Sequence, residues 1–328
     1  MAFHARNKRK ITGTDRNKRY TPLTDIFMNN SEIIPVICYG EILWDVLPDG
    51  PQPGGAPLNV AYHLNKLGLP ASLISRVGKD DNGRKLENLM DKWGINRQLL
   101  QEDGDHPTSE VIAKMNNRNE VSYEIVFPVA WDYINDATEI SSYIKPQTYF
   151  VFGSLASRND ITRNTLFKLL EKDSFKVFDI NLRPPFVNRT LLMKLLEKCD
   201  LAKLNEAELE MVQSIFHGSY EKEADQIKFI QDKFSIQEII VTKGEFGASY
   251  YKGDKAYHCA GREVKVADTI GSGDAFLAAF LSNHYIGEEP RIMLRNAIAM
   301  GGFVATRKGG CPEYDAEEYL TFRREIFL

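Results

Sequence analysis

The sequence lacks the features of a membrane protein, a disulfide-bonded protein and a zinc protein. None of the apolar runs in its 328 residues approaches the ~18–20 consecutive apolar residues that cross a bilayer. The four cysteines lie far apart and form no CxxC pair, which predicts reduced thiols and neither a zinc site nor a disulfide framework. No two histidines have metal-ligand spacing. We therefore expect a globular, cytoplasmic protein without a membrane partner.

Excess positive charge is confined to the start of the chain. Residues 1–30 contain seven Lys or Arg and two Asp, a net charge of +5, whereas the rest of the chain carries −9. An acidic body argues against nucleic-acid binding by the folded part, because nucleic acids are polyanions. The segment has no apolar region of a secretory signal. We predict a disordered basic extension at 1–30 and one domain over 31–328; a targeting segment, a nucleic-acid-binding tail and a start codon assigned too early remain alternatives.

Strand-like and helix-like segments alternate along most of the chain. Short apolar runs such as "IIPVICYG" (33–40) and "TYFVFGS" (148–154) are typical of buried strands, and amphipathic segments of 10–15 residues separate them. This alternation predicts an α/β fold with three layers and a mostly parallel sheet. The segment 108–127 instead alternates polar and apolar residues around "NNRN", which predicts a hairpin outside the main core.

Polar and glycine-rich stretches follow the predicted strands. In a parallel sheet, ligands bind beyond the carboxyl ends of the strands, so we expect these stretches to converge on one crevice. They are Asp45, Gly54–Gly55, Asn181–Arg183, Asn205–Glu208, Thr242–Gly244 and residues 271–274.

The stretch "GSGD" (271–274) opens a predicted helix. Glycines allow successive N–H groups to point at an anion, and the helix N-terminus adds its positive dipole end. A carboxylate there would repel phosphate but could act as a general base for a hydroxyl that attacks phosphorus. The alternative is an N-cap loop in which Asp274 stabilises the first turn. The chain has no GxxxxGK[ST] motif, and no GxGxxG follows the first strand.

Two further stretches allow a functional and a structural interpretation. "LNEAE" places Asn205, Glu206 and Glu208 at a helix start, where they suit Mg²⁺ or, alternatively, only the helix dipole. "DINLRP" places Asp179, Asn181 and Arg183 at alternate positions, which predicts that all three point to one side of a strand. Arg183 could hold a phosphate or a sugar hydroxyl, and a buried structural salt bridge is the competing interpretation.

Six motifs, in order over about residues 35 to 315, resemble those of the ribokinase-like (PfkB) carbohydrate kinases. The first family signature is matched by "GGAPLNVAYHLNKLG" (54–68) with "RVGKDDNG" (76–83), and the second by "DTIGSGDAF" (268–276). The remaining elements are matched by "NEAE" (205–208), "VTKGEFG" (241–247) and "VATRKGG" (304–310). Within the family, "GEILWDVLPDG" and "DINLRPPF" most resemble bacterial fructokinases.

The resemblance implies a three-layer αβα ribokinase-like fold with a small β-sheet lid, formed by strands within about 41–53 and 108–130, which often mediates dimers. It implies ATP and Mg²⁺ as cofactors, with K⁺ as a further candidate. The implied roles are Asp274 as general base; Gly271, Ser272 and Gly273 as anion hole; Asp45, Gly54, Gly55, Asn59 and Arg183 at the sugar; Asn205, Thr242, Gly244 and Gly247 at ATP; Glu208 at Mg²⁺ through water; and Asp268 at a monovalent cation.

The expected activity is therefore ATP-dependent phosphorylation of a sugar primary hydroxyl, with D-fructose as the expected substrate. A kinase for 2-keto-3-deoxygluconate or for another sugar or sugar phosphate is the nearest alternative. A nucleotide-sensing regulator with an inactive kinase fold is another, although the intact Asp274 weighs against it. Two features depart from the family pattern: Ser272 stands where Ala is commoner, and the basic extension has no counterpart.

Overall fold

The computed structural model describes residues 34–47, 50–115, 121–135, 137–186 and 188–327. The predicted basic extension at 1–30 and the predicted turn "NNRN" (116–119) lie outside these residues. None of the described helices is both long enough and apolar enough to cross a membrane.

Thirteen strands and ten α-helices are found in the described part of the chain. The strands are β1 (Val36–Tyr39), β2 (Leu43–Leu47), β3 (Gly50–Gly54), β4 (Ala71–Gly78), β5 (Leu100–Asp103), β6 (Ser109–Met115), β7 (Val121–Ile125), β8 (Tyr149–Gly153), β9 (Phe175–Asp179), β10 (Leu201–Asn205), β11 (Glu238–Thr242), β12 (Ala248–Lys252) and β13 (Lys255–Cys259). The helices are α1 (Ala56–Lys66), α2 (Asp81–Lys92), α3 (Ala137–Ile140), α4 (Asp160–Leu170), α5 (Arg189–Leu196), α6 (Glu206–Ile215), α7 (Glu223–Phe234), α8 (Ser272–Tyr285), α9 (Pro290–Ala305) and α10 (Ala316–Ile326).

Nine strands form the central sheet in the order β13-β12-β11-β10-β9-β8-β1-β4-β5. Neighbouring strands from β5 to β11 run parallel, whereas β12 and β13 are antiparallel. From β1 the chain first builds β4 and β5 on one side, and it later returns to build β8 to β11 on the other. This reversal leaves a crevice beyond the carboxyl ends of β1 and β8, where α/β proteins bind ligands.

Helices cover both faces of the sheet, as the alternation of elements predicts. In β1, Val36 and Cys38 pack towards α1, α8 and α9, whereas Ile37 and Tyr39 pack towards the helices α4 to α7. All four side chains are fully buried. A strand buried on both faces needs apolar residues at successive positions, which is why its sequence reads as a continuous apolar run. The predicted three-layer αβα fold is confirmed.

A second sheet of four strands lies outside these layers in the order β3-β2-β6-β7. Its β6 and β7 are the predicted hairpin. The start of β6 is tied to the N-terminus of α2 by Asp80, whose carboxylate accepts hydrogen bonds from the backbone N–H of Gly83 and of Thr108 at 2.7 and 2.8 Å. The Thr108 hydroxyl adds a third bond to Asp80 at 2.7 Å. These hydrogen bonds of Asp80 thus connect the small sheet to the helix that follows β4 of the large sheet.

The prediction that "DINLRP" continues a strand is wrong. β9 ends at Asp179, and Asn181 has a φ of +39°, in the left-handed region that Asn tolerates better than most residues. The chain therefore turns at the sheet edge, and the alternation of strand side chains stops there. Arg183 lies beyond the turn and is exposed.

Candidate active site

Asp274 lies in the first turn of α8 and contacts Asn59 of α1. Asn59 Nδ2 donates a hydrogen bond to Asp274 Oδ2 at 2.8 Å, across 215 residues of sequence. The N-cap of α8 is Gly271, with a φ of +73°, and no side chain caps this helix end. The interpretation of Asp274 as a capping residue is therefore not supported, because its carboxylate bonds to a different helix.

The "GSG" turn packs tightly against the loop after α9. A Cβ at Gly271 would overlap the Cα of Gly310, so the close approach of the two backbones requires glycine. The Ser272 hydroxyl donates to the carbonyl of Gly301 at 2.9 Å, which joins the start of α8 to α9. The Ser272 amide makes a long, 3.3 Å bond to the carbonyl of Thr269. The N-terminus of α8 is thus held in place by contacts with α9 and with the loop that follows it.

A buried ion pair lies beside this turn. Lys203 Nζ on β10 is 2.9 Å from both carboxylate oxygens of Asp179 on β9. The same ammonium is 3.5 Å from the position that a Cβ of Gly273 would occupy. The alternative of a buried salt bridge at Arg183 is not supported, because Arg183 is exposed and the buried ion pair here joins Asp179 to Lys203. Sequence analysis missed Lys203, although a lysine inside the apolar strand "LAKL" signals a buried carboxylate partner.

The carboxyl group of Asp274 titrates at an unusually high pH. Its pKa is raised to about 6, mainly by burial and secondly by the negative charge of Asp179. Lys203, the hydrogen bond from Asn59 and the charge of Arg183 act in the opposite direction. A carboxyl group with a pKa near the working pH can exchange a proton with a substrate hydroxyl.

The side chain of Asp45 on β2 lies beside Gly54 on β3, although the strand register pairs Asp45 with Gln52 and Gly54 with Leu43. A Cβ at Gly54 would overlap Asp45 Oδ2, so glycine provides the space for this carboxylate. Burial, then the charge of Asp268, raises the pKa of Asp45 to about 6, and Arg183 lowers it. Gly55 follows directly, with a φ of +110°, as the N-cap of α1. Both predicted glycines therefore lie between Asp45 and the helix that carries Asn59.

Glu41 is an acidic group that sequence analysis missed. It follows β1, its side chain is 2% exposed, and its Oε2 has no hydrogen-bond partner among the residues that the structure describes. Burial raises the pKa of Glu41 to about 7; nearby Arg183 lowers it, and Asp274 raises it. A buried, unpaired carboxyl oxygen near the predicted base is a candidate acceptor for a substrate hydroxyl.

The predicted nucleotide side is built from the ends of β10 and β11. Asn205 caps α6 in a capping box: its side chain accepts from the Glu208 N–H, and Glu208 Oε2 accepts from the Asn205 N–H, both at 2.9 Å. The Thr242 hydroxyl bonds to the carbonyl of Leu204 at 3.3 Å. Gly244 begins a turn with a φ of +54°, where a side chain would point into open space. Gly247, with a φ of +101°, packs against the end of β13 instead.

Glu208 fits Mg²⁺ only through water. Its Oε1 accepts from the Leu182 N–H and its Oε2 from the Asn205 N–H, so both oxygens already serve the backbone. No group of three or more His, Cys, Asp or Glu within the described ranges is arranged to hold a metal ion. Mg²⁺ prefers phosphate and water ligands, with one or two carboxylates. The donor set therefore suits a metal that arrives with a nucleotide.

Asp268 organises the loop beside the "GSG" turn at the start of α8. Its two carboxylate oxygens accept from the N–H groups of Ile270 and Gly309, each at 3.0 Å. The two segments matched by the second signature and by "VATRKGG" are thereby joined. The predicted cation role of Asp268 stays a prediction.

A carboxyl group with a pKa near 6 beside a helix N-terminus and a buried lysine, at the carboxyl edge of a parallel sheet, is the arrangement of a small-molecule kinase. The chain belongs to the pfkB family of carbohydrate kinases, because the model of that family matches residues 39–316. It is a sugar kinase.

Proteins named as fructokinases are similar to this chain in sequence, and a solved structure shares its fold. A fructokinase from Escherichia coli is 28% identical over 257 residues, which cover 74% of this chain and 82% of the relative. Probable fructokinase-5 from Arabidopsis thaliana is 27% identical over 308 residues, covering 84% and 93%. The crystal structure of a Vibrio cholerae O395 fructokinase, in a form with fructose, ADP and calcium ion bound, has a TM-score of 0.77 at 24% identity and covers 88% of this chain and 98% of that chain.

Proposed function

We propose that this kinase transfers the γ-phosphoryl group of ATP to a primary hydroxyl of D-fructose, giving fructose 6-phosphate. The observation that carries the proposal is the hydrogen-bonded pair of Asn59 and Asp274 at the N-terminus of α8. The relatives named as fructokinases support fructose as the sugar.

The sugar would lie between the small sheet and α8. Asp45 and Asn59 hold its hydroxyls, with Gly54 and Gly55 leaving room for the ring. Asp274 takes the proton of the attacking hydroxyl, so the O–H bond breaks as the oxygen forms a bond to the γ-phosphorus. The bond from that phosphorus to the β-phosphate oxygen breaks, and its electron pair leaves with ADP.

Negative charge develops on the transferred group and requires donors that are already in place. The amides of residues 271–273 and the positive end of the α8 dipole supply them, with the long Ser272 amide bond replaced by a bond to a phosphoryl oxygen. Lys203 adds a positive charge beside Gly273. Mg²⁺ bound to the phosphates would neutralise part of their charge, with Glu208 orienting a metal-bound water.

ATP would bind along the ends of β10 and β11, at Asn205, Thr242, Gly244 and Gly247. The Asp268 loop would hold a monovalent cation such as K⁺ through its carbonyl groups. The cation role of the Asp268 loop is tested by measuring turnover after K⁺ is replaced by a bulky organic cation. Turnover should fall if the loop binds K⁺.

We propose that the small sheet closes over the sugar as a lid and excludes water, the competing phosphoryl acceptor. Its edge strands β3 and β7 would pair two chains into a homodimer. All four cysteines have free thiols, which fits a reducing compartment, and we place the enzyme in the cytoplasm.

A substrate panel tests the assignment. Coupled-enzyme turnover is measured with ATP against fructose, ribose, ketodeoxygluconate, adenosine and fructose 6-phosphate. We expect the highest kcat/KM with fructose and a product phosphorylated at C6, identified by phosphorus NMR. A higher kcat/KM with any other acceptor would contradict fructose as the substrate.

The position of Arg183 favours a second candidate substrate, 2-keto-3-deoxygluconate. It is exposed beyond β9, and its charge acts on Asp45, Glu41 and Asp274 alike. A guanidinium in this place could pair with the carboxylate of 2-keto-3-deoxygluconate. The variant Arg183→Ala distinguishes the two candidate substrates. It should abolish turnover of the keto acid and only weaken turnover of fructose.

A further inference from the structure

Cys311 extends the hydrogen-bonded pair at the active site. Its Sγ donates to Asn59 Oδ1 at 3.2 Å, while Asn59 Nδ2 donates to Asp274 Oδ2 at 2.8 Å. Thiol, amide and carboxyl therefore form one chain of hydrogen bonds. Cys311 directly follows the "VATRKGG" segment and belongs to none of the motifs that assign the family.

The geometry defines which way the Asn59 amide faces. An amide has one acceptor oxygen and two N–H donors, and here the thiol occupies the oxygen while one N–H meets Asp274. A flipped amide would place its oxygen against the Asp274 carboxylate and lose both bonds. Gly310 leaves room for this amide, since a Cβ at that position would lie 2.6 Å from Asn59 Nδ2 and 2.9 Å from Asn59 Oδ1.

The Cys311 thiol is suited to remain a donor. Burial raises its pKa well above the usual value for cysteine, and the charges of Asp274 and Asp45 raise it further. A thiolate could not donate to Oδ1 and would repel Asp274. The protonated thiol, which is the form that burial favours, avoids both effects.

We propose that Cys311 is a positioning residue for phosphoryl transfer: its thiol holds the Asn59 amide as a donor towards Asp274 and the attacking sugar oxygen. The inference rests on the proposed role of Asp274 as the base. Once Asp274 has taken the proton, its neutral carboxyl no longer demands an N–H donor. The thiol is then the contact that keeps the amide in place for the next cycle.

Loss of the thiol should change how Asp274 titrates. The hydrogen bond from Asn59 lowers the pKa of Asp274, so an amide that can flip lets that pKa rise. The other groups around Asp274 stay the same in such a variant. Those that interact with it electrostatically come from β1, the loops after β1 and β9, and strands β9 and β10: Cys38, Glu41, Arg183, Asp179 and Lys203.

The test compares Cys311→Ala with Cys311→Ser, two small residues that differ in the hydroxyl donor. On the sugar that the wild-type enzyme phosphorylates, we expect Cys311→Ala to lose about tenfold in kcat/KM, the size of one hydrogen bond to a charged network. In a plot of kcat/KM against pH, the rise on the acidic side should move to higher pH in Cys311→Ala. The KM for ATP should not change. Cys311→Ser should keep most of the wild-type activity, and the acidic side of its pH profile should match that of the wild-type enzyme.

Thermal unfolding of both variants identifies a loss of fold, and Cys311→Val serves as a second donor-free variant if Cys311→Ala unfolds. Equal effects of Ala and Ser, or an unmoved pH limb in the donor-free variant, would overturn the positioning role. A wild-type enzyme that phosphorylates no sugar would instead overturn the proposed function, so the two failures are distinct.

Discussion

Helix α8 has a carboxyl group beside each of its ends, the partly exposed Asp274 and the buried Glu238, and the two differ in their partners. At the N-terminal end, Asp274 receives one hydrogen bond from Asn59 and faces the negative Asp179, and its pKa is raised to about 6. At the C-terminal end, Glu238 meets His284 of α8 and also Tyr250 and Lys252. Their hydrogen bonds and charges lower the pKa of Glu238 to about 2, against the effect of burial.

The difference separates a stabilised carboxylate from one whose charge is disfavoured. Glu238 has enough donors to be stable as an anion inside the protein, so its proton is not exchanged near neutral pH. Asp274 is held in place but has too few donors to favour its charge, which is the property that the proposed general base requires. One helix thus joins the proposed base at one edge of the sheet to a stabilised carboxylate at the other.

The largest effect is expected from Asp274→Asn. Turnover should fall by about 10³-fold or more, because the general base is lost, while ATP binding stays nearly intact. Stability should rise, because an ionised Asp274 is unfavourable in the fold. Coupled-enzyme assays, calorimetric nucleotide titration and thermal unfolding measure the three quantities. More than a tenth of normal turnover would rule out Asp274 as the base.

Glu238→Gln should produce the opposite pattern. The change removes the negative partner of His284 and Lys252, and we expect a loss of about 2–4 kcal/mol in the free energy of unfolding. The active site lies at the other sheet edge, so kcat should stay close to that of the parent. Urea unfolding and steady-state kinetics measure the two values. A large fall in kcat with unchanged stability would contradict the assignment of Glu238 to stability and of Asp274 to catalysis.

The pH dependence of the two groups should run in opposite directions. The pKa of Asp274 rises from 3.8 to about 6, so its contribution to stability is lost as the pH rises through this window, while activity increases as it ionises. The pKa of Glu238 falls from 4.5 to about 2, so its contribution is present above 4.5 and is lost as the pH falls towards 2.

Difference curves test these signs. Stability is measured against pH for the parent and for each variant, and the curve of Asp274→Asn minus the parent should increase between pH 3.8 and 6. The curve for Glu238→Gln minus the parent should decrease between pH 2 and 4.5. Flat difference curves would show that neither group is shifted as described.

The smallest effect is expected from Ser272→Ala. The variant loses the hydroxyl bond to the Gly301 carbonyl, at a cost of about 1 kcal/mol in stability, but retains the backbone amide of the anion hole. Its kcat should therefore stay close to the parent value in the coupled assay. A loss of turnover comparable to that of Asp274→Asn would assign the hydroxyl itself to catalysis.

Much of the fold could be predicted from local sequence. Strand β1 and its parallel neighbours appear as apolar runs because both faces of the sheet are covered, and the hairpin of β6 and β7 appears as alternation. The end of β9 was missed because the left-handed turn at Asn181 is a property of one residue, while the pattern "DINLRP" continues to alternate.

The site was predicted where motifs mark it and missed where partners are distant. Asp274 and Asn59 lie in recognisable signatures, and the structure joins them. Lys203, Glu41 and Cys311 carry no such mark. Their importance depends on their surroundings after folding: Lys203 meets a carboxylate, Glu41 has a buried oxygen without a partner among the described residues, and Cys311 meets an amide oxygen 252 residues away.

The distance in sequence between Asn59 and Asp274 has a consequence for synthesis of the enzyme. Asp45 and Asn59 leave the ribosome more than 200 residues before Asp274, and Cys311 follows later still. On the proposed roles of these residues, a growing chain forms the sugar side well before it has the base and the amides that receive the phosphoryl group. Contacts of such long range form slowly, so activity should be the last property to return on refolding, after the secondary structure has formed.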